Sequence, residues 1–76
     1  MKIRTVIEYH REDNVVAFQS GEGWVLRGTF GPAFFWEPNL EKWEPITKSE
    51  VFNPTKYMLT FSMAMHLLET LPPFKP

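Results

Sequence analysis

The side chains with the reach to do chemistry fall in three places. Glu8, His10 and Glu12 lie close together near the start of the chain. Glu8 and His10 are two residues apart, so an extended strand puts them on one side, where a carboxylate and an imidazole suit a weak metal or acid–base site. Glu37, Glu41 and Glu44 crowd a second stretch, a grouping of carboxylates that general acid–base catalysis uses. Ser62 and His66 stand four apart in a helical pattern, within hydrogen-bonding reach of each other.

Each group has a plainer reading, and the plainer one is preferred. A serine nucleophile needs a third group to orient its base and an oxyanion hole. Neither is marked near Ser62, and Ser20 and Ser49 lie in no elbow motif. Carboxylates around a turn are ordinarily solvated, and polar residues on a strand are ordinarily exposed. Gly21-Glu22-Gly23 matches neither GxGxxG nor GK[ST], so no phosphate loop is present. Two histidines in different elements and the absence of cysteine leave no metal-ligand cluster. No catalytic residue, metal or cofactor is assigned, and the chain reads as a non-enzyme.

The elements that would carry these groups follow from periodicity. Alternation of apolar and polar residues, with turns at 11–14, 20–23 and 31–32, predicts strands over about residues 2–10, 14–20 and 23–30. Asp13 and Asn14 suit the positive φ of a tight hairpin, and Gly28 inside the third strand marks a bulge or a close packing approach. Trp36-Glu37-Pro38 and Trp43-Glu44-Pro45 flank the turn 38–41. They read as two further strands, about 33–37 and 42–46, with the tryptophans packed on the sheet. Thr47 and Glu50 have capping-box spacing in the connector that follows. Asn53-Pro54 is the cleaner helix start, a capping residue before proline at the first helical position, and Pro72-Pro73 ends a helix over about 54–71. Residues 72–76 form a tail in which Phe74 folds back. The expected fold is α+β: an antiparallel sheet of four to five strands, meander plus hairpin, with one C-terminal helix packed on one face of a single domain.

That helix looks apolar on two sides. Tyr57, Phe61, Ala64, Leu68 and Leu71, flanked by Met58 and Met65, make the stripe laid on the sheet. Leu59, Met63 and Leu67 make a second stripe that one small sheet leaves uncovered. The stripe is a homodimer seam, a site for another protein, or a face covered by the tail and connector of the same chain; on the first two readings Leu59, Met63, His66 and Leu67 are the candidate partner-binding residues. Trp36 and Trp43 form a second candidate patch, because tryptophan is enriched at binding hot spots.

Composition sets the outer bounds. The chain has 76 residues, a net charge of −1, 16% aromatic residues and no cysteine. A core this small needs support, and the expected sources are aromatics burying about 150–250 Å² each and self-association. A compact, cysteine-free, aromatic-rich composition is similar to that of phage accessory and host-interaction proteins. The near-neutral charge gives no strong field for nucleic acid or an anionic membrane. No apolar leader segment opens the sequence and the helix is too short to span a bilayer, so a cytoplasmic location is expected.

Four strands followed by a helix is similar to the order in single-strand nucleic-acid binders of the Pur-like kind. The resemblance is topological. It implies a runner-up function: nucleic-acid binding on the sheet face away from the helix, through Lys2, Arg4, Arg27 and an aromatic residue, Phe18, Phe34 or Trp36. The first choice is a protein–protein interaction module that acts as a homodimer.

Overall fold

The computed structural model describes residues 7–49 and 53–74. The expected strand start over residues 2–6, the capping-box Glu50 and the last two tail residues lie outside the described residues. Within the described chain, β1 (Glu8–His10), β2 (Val15–Ser20), β3 (Gly23–Thr29), β4 (Ala33–Glu37) and β5 (Lys42–Pro45) form one sheet in the order β1-β2-β3-β4-β5. Every pairing is antiparallel. The C-terminal helix, α1 (Phe61–Thr70), packs against β2 and β3. The α+β meander with a C-terminal helix is the architecture that the periodicity predicts.

Turn chemistry sets the hairpins. Ser20 pairs with Gly23, leaving Gly21 and Glu22 as a two-residue loop. Gly21 takes φ 59° at the first loop position, where a right-twisted hairpin requires positive φ. Asn14 (φ 65°) does the same between β1 and β2, as its short polar side chain allows.

The register sorts side chains onto two faces. Tyr9, Ala17 and Leu26 form one row, Gly28 and Phe34 another, and Trp36 pairs with Trp43; this is the face under α1. Ala17, Trp24, Leu26, Trp36, Leu59 and Ala64 make the buried core there, with Met65, Leu67, Leu68 and Leu71 packed against it. Val25, Phe35 and Tyr57 make a second core on the opposite face, extended by Phe18, Ile46 and Met58. Burying Val15, Val25 and Leu26 completely contributes roughly 1.5–3 kcal/mol for each.

The helix starts later than the sequence signals suggest. Asn53 does not cap it: its side chain accepts a hydrogen bond from the Thr55 hydroxyl, and residues Thr55–Tyr57 form a short 3₁₀ turn. Met58 is extended (φ −69°, ψ 136°), and Thr60 is the true cap, its hydroxyl accepting from the Met63 N–H at 3.1 Å. The reason is a long-range pairing. Continuing the β3–β4 register puts Trp24 opposite Pro38, which has no N–H to give. Leu59 takes that place, with Leu59 N–H to Trp24 O at 2.8 Å and Trp24 N–H to Leu59 O at 2.9 Å. The segment thus lays Tyr57 on one face of the sheet, crosses beside β3, and delivers α1 to the other face.

At the far end the tail closes the core. Phe74 is buried, and its ring lies over bare backbone at Gly28, where an added Cβ would stand 2.8–2.9 Å from three ring carbons. Gly28 marks a close approach, with the tail as the approaching group. Gly28→Ala is expected to destabilise the protein by about 1–3 kcal/mol through overpacking, measured by urea denaturation. Unchanged stability would mean that Phe74 does not occupy this position.

Candidate functional site

Two surfaces stand out, and a charged clasp holds the tail that forms one wall of the first. Arg11, just after β1, directs its guanidinium at the C-terminal end of α1. Nη1 donates to the Leu68 carbonyl at 2.8 Å and the Leu71 carbonyl at 2.9 Å, and Nη2 donates to the Pro72 carbonyl at 3.1 Å. These carbonyls belong to a helix end and its exit, where intrahelical donors run out and the helix dipole favours a cation. Asp13 holds the guanidinium from behind, at 2.6 Å from Nε and 2.7 Å from Nη2. The same carboxylate accepts the Phe74 N–H at 2.7 Å. The Arg11 hydrogen bond, against an opposing effect of burial and helped by the Phe74 amide, holds the Asp13 carboxyl at about 2, below its ordinary 3.8.

The first surface is a cleft of about 380 Å³ between the β4–β5 hairpin and the tail. Phe34, Trp36 and Trp43 form its aromatic wall, Leu71, Pro72 and Pro73 form the other, and Glu41 and Lys42 stand at the rim. Trp43 meets Trp36 edge-on at 5.5 Å and Phe74 at 4.9 Å, an arrangement that fixes the rings. Glu41 holds φ 51°, an uncommon conformation for a side chain of its size, in the turn beside the cleft.

The second surface lies at the β1 edge. Tyr9 contacts Trp24 at 5.8 Å and Phe61 at 6.0 Å, and Trp24 contacts Phe61 at 5.1 Å. Trp24 is buried beneath, while Tyr9 and Phe61 keep 41% and 46% of their surface exposed, beside Ile7 at 45%. Among the described residues β1 pairs only with β2, and no other described strand lies along its outer edge.

The residues expected to bind partners are not brought together as one stripe. Leu59 is outside α1, 5% exposed and held in the core by its pairing with Trp24. Leu67 turns toward the core and is half-buried. His66 and Met63 are exposed on the helix. The two apolar stripes are thus one wide arc, running from Leu67 through Ala64 and Leu68 to Met65, and the separate outward stripe is a product of extending the helix too far back. Trp36 and Trp43 do share a surface, the cleft.

The residues considered for nucleic acid are divided. Arg27 stacks over Phe18, 5.6 Å from the ring centre, on the face away from α1. Trp36 and Phe34 are on the opposite face, and Lys2 and Arg4 lie outside the described residues. Tyr57, Met58 and Ile46 cover part of the face that holds Arg27.

Four of the chemistry-bearing groups, Glu8, His10, Glu37 and Glu44, have structural partners. Glu8 bonds His10 at 3.0 Å on an exposed strand. Glu37 is buried and accepts the Leu40 N–H, closing the turn. Glu44 pairs with Lys56 at 3.0 Å. Two of the three carboxylates of this hairpin are thus engaged in separate structural contacts. Among the described residues no three metal-ligating side chains are grouped, and no helix is long and apolar enough to cross a membrane. Comparison with known proteins places the chain in no family: no family model, no curated protein and no solved structure matches it.

Sequence reasoning missed the clasp and the edge. Arg11 and Asp13 read as turn residues because nothing local names the carbonyls that the arginine reaches, 57 to 61 residues away. Phe61 belongs to the stripe laid on the sheet, as its spacing predicts, but among the described strands β1 is the outermost and leaves Tyr9 and Phe61 at the margin.

The depressed Asp13 carboxyl fixes a pH dependence. Its folded value is the lower one, so the clasp contributes fully above about pH 4 and is lost as the pH falls toward 2. Denaturation midpoints should fall over that window, and Asp13→Asn should be less stable at neutral pH and flatter below pH 4. A variant whose acid profile parallels the wild type would contradict the clasp.

Proposed function

We propose that this chain is a small non-enzymatic protein–protein interaction module, an accessory, adaptor or inhibitor, that acts as a homodimer. The observation that carries the reading is the half-exposed aromatic surface at the open sheet edge, where Tyr9 and Phe61 flank a buried Trp24. Rings already fixed by neighbours lose little freedom when a partner covers them, which makes such patches effective binding anchors. The Trp36–Trp43 cleft is the second surface, rigid in its aromatic wall and rimmed by one acidic and one basic residue. Its shape suits an apolar side chain from another protein.

The acidic groups support the same reading, because Glu37, Glu44 and Asp13 are engaged in holding the fold. A binding module requires that rigidity.

Light scattering of the purified chain should give twice the monomer mass. Phe61→Glu should shift it to the monomer while leaving its circular dichroism unchanged, since the side chain is on the rim of the core. A wild type that stays monomeric across accessible concentrations would overturn the homodimer.

A further inference from the structure

We infer that two copies join edge to edge along β1, antiparallel, about a two-fold axis passing between their Tyr9 residues. This deepens the homodimer reading and rests on it. The two edges of the sheet are unlike. β5 carries Lys42 and Pro45, features that block pairing of an edge strand with another chain. β1, Glu8-Tyr9-His10, carries neither, and all three residues are exposed.

Backbone direction and charge select the register. The Arg11 N–H bonds the Val15 carbonyl at 2.8 Å, toward β2. Alternation in an antiparallel pair then turns the backbone groups of Tyr9 toward β2 and those of Glu8 and His10 toward the open edge. A second β1 must bond through its own Glu8 and His10. Centred on Glu8, the pairing sets Glu8 against the second copy's Glu8. Centred on His10, it sets imidazole on imidazole and brings Glu8 opposite Glu12, beyond the strand. Centred on Tyr9, it places each Glu8 opposite the other copy's His10, two backbone-bonded pairs of carboxylate and imidazole related by symmetry. Glu8 and His10 already attract one another within a strand, at 3.0 Å, and their spacing makes the strand complementary to itself.

The same register accounts for the uncovered aromatics. Tyr9 and the second copy's Tyr9 become a pair without backbone bonds between them, the kind in which side chains approach most closely. A two-fold axis perpendicular to the sheet keeps both α1 helices on one face. Phe61, Tyr9 and their symmetry mates then form one continuous ring belt across the junction, and two five-stranded sheets become one of ten strands.

The absence of cysteine makes a direct test clean. Tyr9→Cys should form a disulfide-linked dimer under mild oxidation, whereas Glu8→Cys, whose two copies are offset along the strands, should not. Glu8→Lys should weaken the dimer roughly tenfold in Kd, and Glu8→Lys combined with His10→Glu should restore it to within about threefold of wild type. Monomer unfolding should be little changed by these exchanges, separating the interface from fold stability. A dimeric wild type that is indifferent to the charge exchange, with no Tyr9→Cys cross-link, would overturn the β1 junction and leave the homodimer standing on another surface. A monomeric wild type would overturn both.

Discussion

The exit from α1 and the course of the tail depend on one guanidinium. Arg11 gathers three carbonyls from the end of α1 and the start of the tail, while Asp13 balances its charge and holds the Phe74 amide. Hydrogen bonds to charged groups contribute about 1.5–3 kcal/mol, and here they are shared among segments that the chain separates by most of its length. Without the clasp, α1 would retain its packing through Ala64 and Leu68, but the exit at Leu71 and the tail would lose their direction. Phe74 would then be held on Gly28 only by its ring contacts with Phe34 and Trp43, and the proline wall of the cleft would be less firmly placed. The clasp is local chemistry, an arginine and an aspartate in a hairpin, with a long-range effect.

A second constraint acts at the other end of the helix. Trp24 needs a backbone partner where Pro38 supplies no N–H, and Leu59 provides it in both directions. That bridge lets the connection change faces, with Tyr57 capping one core and Leu59 entering the other. A small protein thereby gains a covering on both sides of its sheet. The face that would have been a flat open platform is partly closed by Tyr57, Met58 and Ile46.

These two constraints mark the boundary of what the sequence makes legible. The strands and hairpins are legible because they are local: alternation in Val15–Ser20 and positive-φ residues at Asn14 and Gly21 need no distant partner. Asn53-Pro54 is also a sound local signal for a helix start, yet the bridge to Trp24 overrides it and moves the cap to Thr60. The candidate seam of Leu59, Met63 and Leu67 was drawn on that longer helix and dissolves with it. Trp36 and Trp43 were legible as a pair because seven residues around one turn place them on adjacent strands, here directly opposite each other. The significance of Tyr9 required the strand order, since its exposure follows from β1 being the last strand of the sheet.

What the surface then offers is an edge whose own residues complement it, next to rings that the monomer covers only in part. Association through β1 would satisfy the outward backbone groups of Glu8 and His10 and cover Tyr9 and Phe61 in one step. Amide hydrogen exchange at these positions reads that junction directly. The Glu8 and His10 amides should gain protection as concentration rises, while the Tyr9 amide, bonded into β2, stays protected throughout. Glu8 and His10 amides that exchange freely at every concentration would contradict the account.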